Sequence, residues 1–414
     1  MASAPIIGQL NGAWTREEND MAALDGMRVL DMTQYEAGTS CTQLLAWLGA
    51  DVVKVEAPGR GDPGRGVAPT GQTPQYFLNY NSNKRSVCID LARPEGRQVL
   101  LDLVPHFDAF VENYGPGVIE KLGLGYDVMS EINPGIIYGR VKGFGLSGPY
   151  SDYKCYDWVA QAAAGGFSMT GTADGPPLMP APTIGDSGTG MQMALAITAA
   201  YVQKLRTGEG QFVELSMQEA ATMFMRTQGL REWGESEPPR MGSRRGMPTD
   251  VYPCKGDGPN DYIFIMVVTS RMWDTLCAAI GRPDLLEDER FSTGAQRQVY
   301  ADELWDEVAA WTRQYEKYEA MRILAESGVP CSAVLSMLDL FHDPHLKERG
   351  LIQEVEHPTD GKRTIMRNPI RMSKSDVPLK AAPTLGDNTK TVLCKDLGLS
   401  DEEIAALTEQ GIVG

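Results

Sequence analysis

At 414 residues the chain exceeds one ordinary domain, and with 42% hydrophobic and 22% charged residues it reads as a globular protein of two lobes, which excludes a disordered or repetitive chain. Its formal charge of −17 opposes any polyanionic duplex, so nucleic acid is not an expected partner. A small anionic ligand stays open, because it needs only a local cluster of cations and backbone donors.

Residues 1–23 carry Glu17, Glu18 and Asp20 and lack the basic and apolar regions of an export signal, so they read as a flexible leader and the chain as cytoplasmic. Met27–Thr33 reads as a strand, Cys41–Gly49 as a helix and Asp51–Glu56 as a second strand, a βαβ unit with Gly38 in its turn. The alternation continues through Ser86–Leu91 (strand), Pro94–Leu103 (helix), Asp108–Glu112 (strand), Ile119–Gly123 (helix) and Ile136–Lys142 (strand). It predicts an α/β fold with a Rossmann-like parallel sheet covered on both faces. From Trp158 to Leu205 the pattern is helical, broken at Gly165-Gly166 and at Asp174–Pro182. A strand Gln211–Ser216 and a helix from Gln218 to about Trp233 follow. Residues 234–253 contain Pro238, Pro239, Pro248 and Pro253 with little periodicity and read as a linker. A second lobe is expected beyond it, from the strand Tyr262–Val268, the helix Arg271–Ile280 and helices over Ala301–Ser327. The chain then shows β-like runs at Val329–Leu335 and Gly350–His357 and a helical tail Asp401–Thr408. No apolar stretch reaches the ~20 residues of a membrane span, so no membrane partner is expected.

The commoner kinds of site are missing. The four histidines (His106, His342, His345, His357) form no H-E-x-x-H and accompany no G-x-S-x-G elbow. His342 and His345 have a spacing that could seat a metal on a helix, but Pro344 interrupts that helix, and a solvated loop is the favoured reading. Seven cysteines, odd in number and without a C-x-x-C pair, argue against a disulfide framework or a structural zinc and for a reducing compartment. Neither a Walker motif nor a G-x-G-x-x-G follows the first strand. What remains is Ile184-Gly-Asp-Ser-Gly-Thr-Gly190, an acidic residue in a Gly/Ser turn leading into the apolar helix from Met191. Two readings of it stand. Asp186 or Ser187 caps that helix, or the Asp186 carboxylate, hemmed by glycines, is open to close approach by a substrate.

Nine motifs bear on the choice: Leu24-Asp-Gly-Met-Arg-Val-Leu-Asp31, Leu48-Gly-Ala-Asp-Val-Val-Lys-Val-Glu56, Asn83-Lys-Arg-Ser86, Val111-Glu-Asn-Tyr-Gly-Pro-Gly117, Gly123-Leu-Gly-Tyr126, Gly143-Phe-Gly-Leu-Ser-Gly-Pro149, Asp174-Gly-Pro-Pro177, Gly185-Asp186 and Thr207-Gly-Glu-Gly210. In this order they resemble the class III CoA-transferases, the CaiB/BaiF family, over nearly the whole chain. Within that family the chain looks like the formyl-CoA transferases, through Tyr80-Asn-Ser-Asn-Lys-Arg-Ser86 and Gly185-Asp-Ser-Gly-Thr-Gly190.

The resemblance implies an enzyme that moves CoA from an acyl-CoA thioester to a free carboxylic acid, a dicarboxylate being one candidate, through an aspartyl-CoA thioester on Asp186. It implies no permanently bound cofactor and no metal, coenzyme A entering as the acyl-CoA substrate. It also implies an interlocked homodimer, with a large CoA-binding domain at 24–233 and 346–414 and a smaller α/β domain at 254–345. Its CoA contacts map onto Glu36 and Ala37, onto Ile89, Asp90, Leu91 and Ala92, onto Asn113, Tyr114 and Gly115, onto Lys121, and onto Tyr153, Lys154, Cys155 and Tyr156. Lys121 is the cation expected at a phosphate. Glu36 stands where the family often has Gln or an apolar residue. Either it neighbours the Asp186 carboxylate and raises one of the two pKa values, or it is a solvated loop residue. Ala57 replaces an arginine, so Arg60 or Lys154 is expected to supply that phosphate contact, and Val67 replaces a tryptophan near the site. Arg240–Pro248 stands in place of a mobile glycine loop. Its Arg240, Arg244 and Arg245 are either solvated or include a bidentate clamp for the distal carboxylate of a dicarboxylic acid. The rival racemase on this fold would need a histidine where Tyr156 stands, and a non-catalytic CoA-binding protein would have no use for Asp186.

Overall fold

The computed structural model describes residues 21–67, 71–230, 233–242 and 248–414. It divides into two compact units, one comprising the chain through Phe167, Met179–Ser236 and Leu351–Gly414, the other Ser168–Leu178 and Glu237–Gly350.

In the first unit β1 (Arg28–Met32), β2 (Asp51–Glu56), β3 (Arg85–Cys88), β4 (Ala109–Glu112), β5 (Ile137–Lys142) and β6 (Gln211–Ser216) form one sheet in the order β3-β2-β1-β4-β5-β6. All five pairings are parallel. Side chains alternate between faces along each strand, so neighbouring residues feed two cores. Leu30, Val53, Val55, Phe110 and Tyr138 face one, and Val29, Val52, Ala109, Val111 and Ile137 the other. Both faces are apolar, which explains the near-continuous hydrophobic runs in the sequence. The strand order reverses between β1 and β4. Ligands in sheets of this kind bind at the carboxyl ends of the strands flanking such a reversal.

The first helix, Ala37–Trp47, is almost wholly buried. It begins four residues before the expected Cys41, because Glu36 occupies the N-cap without a side-chain capping bond and leaves no cap signature to read. It packs on the long helix Thr189–Thr207 at a close crossing: a Cβ on Gly190 would lie 2.7 Å from the Ala37 carbonyl oxygen and 2.9 Å from the Cys41 nitrogen. The expected helix from Gln218 to Trp233 is cut to Met217–Thr222, followed by a 3₁₀ turn Met223–Met225.

The second unit carries the antiparallel sheet β7 (Asp250–Pro253), β8 (Tyr262–Ile265) and β9 (Cys331–Ala333). Trp273, Phe291, Val308 and Leu324 fill its core. The expected linker at 234–253 is therefore corrected, since its last four residues are β7 and Glu237 onward belongs to this unit. Pro253 was misleading, because β7 lies at the sheet edge, where a missing donor is tolerated. Strands β10 (Ile352–His357) and β11 (Gly361–Met366) form a hairpin in the first unit, where Ile365 packs with Phe77 and Leu78. Of these two strands the sequence pattern signals only β10.

Candidate active site

Asp186 lies in a π-helical turn, Ile184–Gly188, that precedes the long helix. Such turns cluster at functional sites. The cap reading fails, because the N-cap of the long helix is Gly188 with no side-chain capping bond. Asp186 instead uses its backbone, donating its N–H to Asp157 Oδ1 at 2.9 Å. Asp157, 8% exposed, is anchored in turn by Gln161, whose Nε2 donates to Asp157 Oδ2 (2.7 Å) and to the Pro182 carbonyl (2.9 Å). Gly185 is required by contact, since a Cβ there would lie 2.5 Å from the Asp157 carbonyl oxygen. The glycines thus serve to press this turn against its neighbours.

Glu36 is 4% exposed, so it is no solvated loop residue. Its Oε1 accepts from the Ser187 hydroxyl at 2.7 Å, next to Asp186 in the chain. Tyr80 and Tyr76 close the same corner, and burial together with the Glu36 charge pushes both phenols up. The Asp186 carboxyl is pushed up to about 8, first by burial, then by the charges of Glu36 and Asp157. Among the described residues no side chain donates a hydrogen bond to it. A half-buried carboxyl without donors, beside two other carboxylates, is poised between neutral and anionic near neutral pH.

A cleft of about 340 Å³ opens at the reversal point of the sheet, and Asp186 lines it. Of the expected contact residues, Glu36, Ala37, Asn113, Tyr114, Gly115, Tyr153, Lys154, Cys155 and Tyr156 line it with Asp186. Two of these are partly committed elsewhere. The Asn113 amide is spent on the Gln34 backbone, accepting from its N–H (2.8 Å) and donating to its carbonyl (2.9 Å). The Tyr114 hydroxyl accepts from Gln34 Nε2 at 3.0 Å. The Cys155 thiol is pushed up to about 11, mainly by burial, which leaves it a poor nucleophile at neutral pH.

Ile89, Asp90, Leu91, Ala92 and Lys121 are not among the cleft-lining residues. Ile89 is buried and bridges to Val413, and the Asp90 N–H donates to the Ile412 carbonyl at 2.8 Å. Lys121 is exposed at the end of the helix Val118–Lys121. Arg240 lies in the second unit, where Nη1 donates to the Ala173 carbonyl at 3.2 Å. Arg244 and Arg245 lie outside the described residues. His342 and His345 sit on two separate short helices, Met337–His342 and Pro344–Glu348. Among the described residues no cluster suits a metal ion, and no helix is long and apolar enough to cross a membrane.

Sequence reasoning passed over Asp157 as an anchor, and Lys142, Tyr76 and Tyr80 as parts of the site. Lys142 lines the cleft while donating to Glu112 Oε2 (3.1 Å) and the Tyr114 carbonyl (2.5 Å). It ends a strand that reads as plain core, and only the sheet register brings it beside Glu112. Asp157 sits next to Tyr156 in the motif order, but its task depends on a turn 29 residues away.

The sequence model described as CoA-transferase family III matches residues 24–389. The chain is 40% identical to a formyl-CoA:oxalate CoA-transferase from Rhodopseudomonas palustris (strain BisA53), over 94% of this chain and 97% of that one. It is 39% identical to one from Escherichia coli O157:H7 (strain EC4115 / EHEC), over 93% and 98%. The crystal structure of a CAIB/BAIF family protein from Brucella suis superposes with a TM-score of 0.80 at 30% identity, covering 91% of this chain and 99% of that one.

Proposed function

Because the chain belongs to CoA-transferase family III, and so is a CoA-transferase, we propose that Asp186 is the group through which it moves CoA between carboxylic acids. The observation that carries this reading is the Asp186 carboxylate itself, held without hydrogen-bond donors at the cleft by a turn that Asp157 anchors through the backbone. Ionised Asp186 attacks the acyl-CoA carbonyl, and collapse of the tetrahedral adduct gives an aspartyl–acyl anhydride and CoA thiolate. The thiolate attacks the aspartyl carbonyl, releasing the donor acid as its carboxylate and leaving an aspartyl-CoA thioester. The acceptor carboxylate attacks that thioester, and the freed thiolate takes the acceptor's carbonyl from the new anhydride, restoring Asp186. One thioester is broken and one made, so no external energy source enters. Oxyanion stabilisation falls to backbone donors, and the Ala37 N–H at the uncapped start of the first helix is the candidate in the cleft.

The names of the relatives support a short acyl donor and a dicarboxylate acceptor such as oxalate. CoA would lie along the cleft between Asn113–Gly115 and Tyr153–Tyr156, with Lys121 near its phosphates. The reading includes a homodimer, which an exposed apolar stripe on the long helix supports, and a reducing cytoplasmic setting, which the seven free cysteines support. Intact-mass measurement after incubation with an acyl-CoA is the test. The wild type should gain CoA as a thioester, and Asp186→Ala should gain none and lose exchange by several orders of magnitude. More than a few per cent of residual activity in that variant would overturn the assignment.

A further inference from the structure

The loop from β1 to the first helix, which carries Glu36 and Ala37 into the cleft, is pinned peptide by peptide from below. The Thr33 N–H donates to Asp31 Oδ1 at 2.9 Å, and the Thr33 carbonyl accepts from Lys54 Nζ at 2.7 Å. The Tyr35 N–H donates to Asp62 Oδ1 at 3.1 Å, and that oxygen also accepts from the Gly64 N–H at 2.7 Å. One turn further on, Lys84 Nζ donates to the Thr39 carbonyl at 3.0 Å. The four charges also pair: Lys54 lies 2.7 Å from Asp62 Oδ2, and Lys84 3.0 Å from Asp31 Oδ2, all with side chains at most 1% exposed. Buried ion pairs of this kind are a poor source of stability, since an apolar core of the same shape serves as well. They do impose one geometry. The geometry they impose is a strained one, because Tyr35 is held at φ 58, the left-handed region that side chains other than glycine rarely occupy.

Resting on the reading of Asp186 above, we propose that Asp62 is a positioning residue of the transfer reaction. Accepting from the Tyr35 amide while paired with Lys54, it locks the Tyr35–Glu36 turn so that Glu36 stays against Ser187 and Ala37 stays at the cleft. Asp62 touches neither the cleft nor Asp186. Its effect runs through the backbone of one turn, and Lys54 holds the carboxylate in place for it.

Two readouts on the full-length protein test this. In Asp62→Ala, amide hydrogen exchange should quicken in the segment 33–40 and not in β4 or the long helix. Turnover should fall about tenfold or more, while the KM for the acyl-CoA stays within about twofold, because donor binding is left intact. Tyr35→Gly placed in the Asp62→Ala background should recover part of the turnover, since glycine adopts positive φ without strain; a general loss of stability would not be rescued this way. Unchanged exchange at 33–40, unchanged turnover, a change confined to KM, or no rescue by glycine would each overturn the proposal. If Asp62→Ala does not fold, Asp62→Asn takes its place. Its amide nitrogen cannot face Lys54 and keep both partners, so turnover and exchange left as in the wild type would overturn the proposal equally. Absence of a CoA adduct in the wild type would instead sink the reading of Asp186, and the exchange measurement would still decide whether Asp62 holds the turn.

Discussion

Asp186 sets a pH dependence whose sign can be worked out. In the proposed mechanism the nucleophile is the Asp186 anion, and burial followed by the Glu36 and Asp157 charges raises the carboxyl to about 8. Transfer limited by attack should therefore rise with pH up to about 8 and level off above it. Glu36→Gln removes one repelling charge and should move that rise to lower pH without abolishing it, since burial, the largest cause, remains. An identical profile in this variant would show that Glu36 does not act on Asp186 through its charge. The same shift acts on stability. Between the ordinary carboxylate range and about 8 the unfolded chain has Asp186 ionised while the folded one keeps it protonated, so its contribution is lost as pH rises through that window. Asp186→Asn should accordingly melt higher than the wild type at alkaline pH and alike near pH 4, as measured by thermal denaturation across a pH series.

The π-turn and the two helices beside it depend on contact distances more than on residue type. Gly190 lies where the long helix crosses the first helix, with no room for a methyl against the Ala37 carbonyl and the Cys41 nitrogen. Gly190→Ala should force those helices apart and cost ~1–3 kcal/mol by overpacking, read as a lower denaturant midpoint at unchanged slope. A midpoint equal to the wild type would show that the crossing can yield. The motif Tyr80–Ser86 is likewise a brace. Ser82 accepts from Gln43 and Trp47, both at 2.9 Å, Lys84 reaches the Thr39 carbonyl at 3.0 Å, and Ser86 donates to Glu56 at 2.6 Å. Its residues hold the first helix to the sheet, and Tyr80 alone stands beside Glu36.

On the scale of the folded chain, the long helix exposes Met191, Leu195, Val202 and Leu205 at 51%, 71%, 42% and 68%, spaced so that they share one side. An apolar face of that kind is covered in most soluble proteins, and the proposed homodimer would cover it. Light scattering should then give a dimer mass at every concentration down to the lowest measurable, because interlocked chains have no folded monomer to release. A monomer mass on dilution would count against the interlocked arrangement.

The parallel α/β sheet was legible in the sequence because short runs rich in Val, Ile and Leu alternate with helical segments, and all six strands began within a residue of their expected position. The helix Pro94–Leu103 was legible too, with proline at its first turn. Asp186 could be singled out because the commoner kinds of site were missing and the motif resemblance places a catalytic aspartate there, while the local sequence by itself favoured a cap. Geometry removed the cap reading, through an N-cap at Gly188 and a backbone bond to Asp157. The extra strand β7 was hidden by Pro253 at its end, and the helix Gln75–Asn81 by its lack of a cap. Glu36 read equally as solvated or buried, since burial belongs to what packs on a residue and not to its identity. The same holds for Lys54, Lys84, Asp31 and Asp62. Residue type marks none of them as buried, and parallel pairing of β1, β2 and β3 brings Asp31 on β1, Lys54 on β2, Asp62 in the turn after β2 and Lys84 just before β3 into one buried cluster under the loop that lines the cleft.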